Sequence, residues 1–113
     1  MSFVTLVVED DVLQRVLLAD LLKERGQEVV ECTTAEAAEI VLATIGLELR
    51  ALITDVQLEG RMSGIELAEF AKSRFPHLNV LIVSGQERPA LPPDTRFFAK
   101  PYVPEEIVGA ALN

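Results

Sequence analysis

Five polar side chains follow closely on short apolar stretches of the chain: Glu9, Asp10, Asp55, Ser84 and Lys100. Carboxylates that gather within a few ångströms repel one another and raise each other's pKa unless a cation sits among them. Oxygen ligands without histidine or cysteine suit a hard ion, and two or three carboxylates with waters suit Mg²⁺. A carboxylate is also a nucleophile towards phosphorus, and a nearby cation would neutralise the oxygens of a phosphoryl group in transfer.

This chemistry requires a fold that brings the five side chains together. The apolar stretches predict five strands, at 3–8, 28–32, 51–54, 79–83 and 96–99. Helical patterns lie between them, from Val12 to Gly26, from Thr33 or Thr34 to Gly46, from Ser63 to Phe75, and from Pro104 onwards. Alternating strands and helices indicate an α/β fold with a mostly parallel sheet and helices on both faces. Because the carboxyl ends of parallel strands lie at one edge, the five side chains are expected in one crevice.

The segment between the fourth and fifth strands departs from this alternation. Pro89, Pro92 and Pro93 fall within five positions, and they disfavour a regular helix. A helix is therefore expected to be short or missing here, and the conformation of residues 85–98 is left open.

Taken singly, most of these polar residues have ordinary structural interpretations. Asp11 is interpreted as the N-cap of the first helix rather than as a metal ligand. Ser84 with Gly85 is typical of a turn, and a lone lysine such as Lys100 is usually a surface charge. His77 lies at the opposite edge of the predicted sheet and is not expected to be catalytic. The joint placement at successive strand ends is what favours a functional site.

Composition narrows the class of protein. The chain has 113 residues with 10 Lys and Arg against 18 Asp and Glu, a net charge of −8. One domain spanning residues 1–113 is expected from this length, and the acidity argues against direct nucleic-acid binding. No apolar run approaches the roughly 20 residues that cross a bilayer, and no signal peptide is evident. Cys32 is the one cysteine, typical of a core residue in a reducing cytosol, so a cytoplasmic location is expected.

An ordered set of short motifs resembles one known family, the response-regulator receiver domain of two-component signalling. The motifs are Val7-Val8-Glu9-Asp10-Asp11, Leu52-Ile53-Thr54-Asp55, Ser63-Gly64-Ile65-Glu66-Leu67, Val80-Leu81-Ile82-Val83-Ser84-Gly85 and Phe98-Ala99-Lys100-Pro101-Tyr102. The resemblance covers nearly the whole chain. It implies a flavodoxin-like, doubly wound sheet of five parallel strands in the order 2-1-3-4-5.

The resemblance also implies roles for individual residues. Asp55 would be the phosphoacceptor that attacks a phosphohistidine on a histidine kinase or phosphotransfer protein. Glu9 and Asp10 match the acidic pair that holds Mg²⁺, with Asp10 the direct ligand and Glu9 acting through water. Asp55 and the backbone carbonyl of Gln57 would complete the metal ligands.

Three further positions carry implied roles in activation. Ser84 matches the hydroxyl residue that follows the phosphoryl group, and Phe97 matches the aromatic residue whose rotamer reports activation. Lys100 matches the lysine that pairs with a phosphoryl oxygen. The bond between Lys100 and Pro101 would be the family's cis peptide.

Two departures from the family pattern bear on these expectations. The family usually has a proline in the loop after the phosphoacceptor, whereas residues 58–62 of this chain contain none. The loop is also one residue longer than in the family pattern. The separation of Ser84 and Lys100, 16 positions, is shorter than the family norm by roughly one to two helical turns. The family's helix between the fourth and fifth strands is therefore expected to be short or absent, and the signalling face that it usually forms is expected to be altered.

The leading hypothesis is a stand-alone receiver that accepts a phosphoryl group from a histidine kinase or phosphotransfer protein. It would catalyse its own phosphorylation and dephosphorylation without being a conventional enzyme. It would signal by contact with an unknown output protein, and its oligomeric state is open. One alternative is a pseudo-receiver scaffold that binds partners without phosphorylation, and another is the receiver fragment of a longer regulator. A phosphatase with an aspartate nucleophile would need a second acid two residues after Asp55, where Gln57 stands.

Overall fold

The computed structural model describes residues 4–85 and 89–113. Strands and helices alternate along these residues: β1 Val4–Val8, α1 Val12–Glu24, β2 Glu28–Cys32, α2 Ala35–Ile45, β3 Leu49–Asp55, α3 Gly64–Arg74, β4 Asn79–Ser84, β5 Thr95–Ala99 and α4 Pro104–Ala111. A short 3₁₀ turn, Gly46–Glu48, joins α2 to β3. Within these residues no helix is both long and apolar enough to cross a membrane.

The strands form one sheet in the order β2-β1-β3-β4-β5, and each neighbouring pair is parallel. The predicted fold class and strand order are therefore confirmed. The register pairs Val8 with Thr54, Asp55 with Val83, and Ser84 with Ala99. This register brings the ends of β1, β3, β4 and β5 to the same edge of the sheet.

The core consists of two apolar layers, one on each face of the sheet. Leu6 and Leu52 point to the layer beneath α2 and α3, whereas Val7 and Ile53 point to the layer beneath α1 and α4. Consecutive residues of a strand face opposite sides, so β1 and β3 need apolar residues at nearly every position. This double burial explains the unbroken apolar stretches in the sequence.

Three helices begin at side-chain caps, as the sequence predicts: Asp11 for α1, Thr34 for α2 and Ser63 for α3. Each cap side chain accepts a backbone N–H that the helix itself leaves unpaired. Ser63 and Glu66 form a reciprocal capping box. Gly26, just beyond α1, has a φ of +82°, the left-handed conformation that glycine adopts without strain.

The predicted limits of β3 and β4 were too narrow. Leu49 is buried and pairs with Val4, so β3 begins two residues before the predicted start. Asp55 and Ser84 are the last residues of their strands rather than loop residues, because their backbones continue the pairing with β4 and β5. The strand predicted from Phe3 is observed from Val4 onwards, and Phe3 itself lies outside the described residues.

Among the described residues between β4 and β5, which are Gly85 and 89–94, there is no helix. Residues 86–88 lie outside the described part of the chain. The expectation of a short or missing helix is confirmed to that extent. Leu91 and Phe97 both pack against the core layer beneath α2 and α3. Leu91, from the proline-rich segment, therefore covers part of that layer.

A close backbone approach at the start of α3 predicts a large difference between two glycine substitutions. A Cβ at Gly64 would lie 1.7 Å from the backbone oxygen of Asp55, which cannot move without distorting β3. Gly64→Ala is therefore expected to lower the free energy of unfolding by about 3 kcal/mol. Gly109 in α4 has no atom within 4 Å of such a Cβ, and Gly109→Ala is expected to raise it by about 0.5–1 kcal/mol. Urea unfolding of both variants measures the difference, and equal effects would contradict it.

Candidate functional site

The carboxylates at the ends of β1 and β3 are almost fully buried. Glu9 is 2% exposed and Asp55 is 7% exposed. The backbone N–H of Glu9 donates to the carbonyl of Cys32 at 3.0 Å, which extends the sheet pairing to this residue. Because ionised groups lose hydration on burial, both acids need a compensating positive charge.

Lys100 supplies that charge from the end of β5. Its Nζ donates to Asp55 Oδ2 at 2.7 Å and to Glu9 Oε1 at 3.0 Å. The backbone N–H of Lys100 donates to the carbonyl of Ser84 at 2.8 Å, and the bond from Lys100 to Pro101 is cis. One ammonium group therefore bridges carboxylates from two other strands.

The remaining polar groups of Glu9 are held by the start of α1. Its Oε2 accepts the backbone N–H of Asp11 at 3.2 Å, and its carbonyl accepts a guanidinium N–H of Arg15 at 3.0 Å. Asp11 in turn accepts the backbone N–H of Gln14 at 3.0 Å as the cap of α1. Asp11 thus has the capping role that the sequence predicts. The part played by Arg15 was missed, because no local pattern marks this contact.

Burial raises the pKa of Glu9 from its ordinary value of 4.5 to about 7. The hydrogen bonds from Lys100 and Asp11 oppose this rise, whereas the negative charge of Asp55 adds to it. Desolvation lowers the pKa of Lys100, but hydrogen bonds to Asp55 and Glu9 outweigh it and leave that pKa raised. The ammonium therefore stays charged, and the site still holds more acid than its own lysine neutralises.

The structure brings Glu9, Asp10 and Asp55 together, with one carboxylate oxygen of each within 4.8 Å of the others. These three carboxylates are the donor set that a hard divalent cation such as Mg²⁺ takes, so the residues fit the ion. Gln57 is exposed and lies two residues beyond Asp55. Its role as a carbonyl ligand stays a prediction.

Ser84 and Phe97 are placed in the strands next to the acids. Ser84 is 2% exposed and ends β4, one residue beyond the partner of Asp55 in the register. Phe97 pairs with Ile82 in β5 and is half-buried against the core layer beneath α2 and α3. Their proposed parts in activation are untested by this geometry.

Beside Lys100, α1 presents an apolar surface that the sequence analysis did not anticipate. Val12, Leu13, Val16 and Leu17 are between 41% and 82% exposed. An open pocket adjoins this surface and is lined by Gln14, Leu17, Lys100, Pro101, Tyr102 and Pro104. The apolar spacing of α1 predicted a helix, and this helix carries apolar residues on its outer face as well as its buried face.

Comparisons with known proteins identify the family of the chain. The family model described as the response regulator receiver domain matches residues 5–111. The response regulator protein FleR of Pseudomonas aeruginosa is 40% identical over 85 residues, which are 75% of this chain and 17% of FleR. The transcriptional regulatory protein FixJ of Azorhizobium caulinodans is 34% identical over 79 residues, 70% of this chain and 36% of FixJ. The chain thus spans well under half the length of these relatives.

Solved structures show the same fold. The receiver domain of the hybrid histidine kinase CckA has a TM-score of 0.82 and 30% identity, covering 97% of this chain and 99% of that one. A response regulator receiver protein from Sinorhizobium medicae WSM419 has a TM-score of 0.86 at 20% identity, covering 97% and 91%. The chain belongs to the response-regulator receiver family.

Membership of this family has direct consequences for the chain. It is a receiver domain of the two-component response-regulator type, and such domains bind Mg²⁺ at an acidic site. Receivers interact with histidine kinases or phosphotransfer proteins, and they are not classical enzymes.

The raised pKa of Glu9 predicts a pH-dependent stability of the metal-free protein. The folded state keeps the Glu9 proton up to about pH 7, whereas the unfolded chain loses it near pH 4.5. Stability from this group is therefore fully present below about pH 4.5 and is lost as the pH rises through about 7. Glu9→Gln removes the titrating group, so its free energy of unfolding should rise relative to the parent's over this range. Urea unfolding in a chelator between pH 4.5 and 8 measures the difference, and a constant difference would contradict the assignment.

Proposed function

We propose that Asp55 accepts a phosphoryl group from the phosphohistidine of a histidine kinase or phosphotransfer protein. Mg²⁺ would be held by Glu9, Asp10, Asp55 and the backbone carbonyl of Gln57. The observation that carries this proposal is the contact of Lys100 Nζ with Asp55 Oδ2 at 2.7 Å inside an acidic cluster. A cation beside a buried carboxylate is the arrangement that a phosphoryl acceptor needs.

In the proposed transfer, a carboxylate oxygen of Asp55 attacks phosphorus. A P–O bond to Asp55 forms, and the P–N bond to the donor histidine breaks and leaves its electron pair on the imidazole nitrogen. Lys100 holds the Asp55 carboxylate in place and lies ready to neutralise an oxygen of the arriving group. Mg²⁺, when bound, supplies further charge neutralisation for the phosphoryl oxygens.

Ser84 and Lys100 would couple phosphorylation to the β4 and β5 strands. The carbonyl of Ser84 accepts the backbone N–H of Lys100, so a shift of either residue reaches the other through one hydrogen bond. Phe97 lies in β5 three residues before Lys100. A population shift of these strands would change the surface offered to an output protein.

The described part of the chain supports a protein donor rather than a small molecule alone. Leu17, one of the exposed apolar side chains of α1, lines the pocket beside Lys100. No helix lies among the described residues between β4 and β5, and we expect the output face to be altered there. A pseudo-receiver scaffold would have no use for buried carboxylates gathered around one lysine, since desolvation makes them costly.

Phosphorylation of the purified chain by acetyl phosphate in Mg²⁺ tests the role of Asp55. The parent is expected to gain one phosphoryl group by intact mass spectrometry, and Asp55→Asn is expected to gain none, because an amide cannot form the acyl phosphate. Asp20→Asn, an exposed position on α1, serves as the matched control and should behave as the parent does. Equal uptake by Asp55→Asn and the parent would show that the acceptor lies elsewhere.

A further inference from the structure

The loop that follows Asp55, residues 56–63, is firmly closed at its ends. The backbone N–H of Gly64 donates to the carbonyl of Val56 at 2.9 Å. The capping box of Ser63 and Glu66 secures the start of α3 with hydrogen bonds of 3.0 and 3.2 Å. The middle of the loop contains no proline, and Gly60 has a φ of +95°. Its backbone therefore has little stiffness of its own and depends on external contacts.

The start of α2 provides those contacts. Oε2 of Glu36 accepts the backbone N–H groups of Arg61 at 2.9 Å and Met62 at 3.3 Å. A Cβ at Gly60 would lie 2.8 Å from Oε1 of the same carboxylate, so the loop backbone approaches Glu36 closely. A parallel β-bridge joins Thr34, the cap of α2, to Glu59.

The electrostatics and the packing of α2 both support this contact as a stable one. The pKa of Glu36 lies below its ordinary value. The main cause is the backbone hydrogen bond from Arg61, and the backbone N–H groups of Glu36 itself and of Met62 add to it. The carboxylate is therefore ionised at neutral pH, and hydrogen bonds to an ionised acceptor are stronger than neutral ones. Ala35 and Ala38 are fully buried, so α2 offers a rigid platform.

We propose that Glu36 is a positioning residue of the metal site, which sets the backbone of the loop that carries the Gln57 carbonyl. Gln57 lies between two anchored points, Val56 on one side and the Glu59–Met62 segment on the other. The direction of its carbonyl therefore depends on both. Glu36 itself does not touch the ion. This inference rests on the proposed function. The loop lacks a proline that would stiffen it, and we assign that stiffening to the carboxylate of Glu36, which lies outside the acidic cluster.

Three variants test the proposal through Mg²⁺ affinity and amide hydrogen exchange. Glu36→Ala removes the acceptor and is expected to raise the half-saturating Mg²⁺ concentration by about 10-fold. It should also speed exchange of the Arg61 and Met62 amides in the metal-free protein. Glu36→Gln keeps an acceptor oxygen without the charge and should recover part of the affinity. Glu39→Ala, one turn further along α2, removes a carboxylate of similar location and should match the parent.

Urea unfolding of each variant measures how much of it is folded under the conditions of the Mg²⁺ titration. A variant that only loses stability would keep the Mg²⁺ affinity of the parent in its folded molecules. Parent-like Mg²⁺ affinity in Glu36→Ala overturns the proposal. Equal weakening by Glu36→Ala and Glu39→Ala also overturns it, because net charge rather than hydrogen bonding would then be responsible.

Acetyl phosphate labelling of the same preparations separates this inference from the proposed function. If the parent is labelled and Glu36→Ala shows the same dependence of labelling on Mg²⁺ concentration, only the role of Glu36 is overturned. A parent that binds Mg²⁺ but is never labelled overturns the proposed function, while the Mg²⁺ and exchange measurements still decide the role of Glu36. A parent that binds no Mg²⁺ overturns both.

Discussion

The ammonium group of Lys100, held between Glu9 and Asp55, is the interaction on which the site depends. Both carboxylates are buried at strand ends, where a nearby positive charge offsets the loss of hydration. Lys100 lies beyond β5, two strands from β3, and its long side chain reaches past the end of β4. The sheet order is therefore a requirement of the chemistry, since only parallel strands in this arrangement bring the acids and the lysine to one edge.

The architecture was predictable because it follows from local patterns. Buried parallel strands require continuous apolar stretches, and helices between them require caps, which Asp11, Thr34 and Ser63 provide. The strand order came from the family resemblance, whereas the gathering of Glu9, Asp55 and Lys100 followed from their places at the ends of parallel strands. The ends of the strands were less predictable. Asp55 belongs to β3 because it pairs with Val83, and the residues around these two positions do not indicate that pairing.

The contacts that the sequence did not indicate are those between distant segments. Glu36 and Arg61 are 25 positions apart, and Glu36 by itself looks like an ordinary acid in the first turn of a helix. The outward apolar residues of α1, such as Leu13, were equally hidden, because spacing alone does not tell which face of an apolar helix is covered. Both features concern the surroundings of the acids rather than the acids themselves.

The most direct test of the central claim is a crystal structure of the chain with Mg²⁺ and beryllofluoride, a mimic of the phosphoryl group. The account predicts beryllium bonded to a carboxylate oxygen of Asp55, Mg²⁺ beside Glu9 and Asp10, and Lys100 Nζ in contact with a fluorine. Beryllofluoride attached elsewhere, or failing to bind while Mg²⁺ is bound, would contradict the claim that these strand ends form a phosphoryl-accepting site.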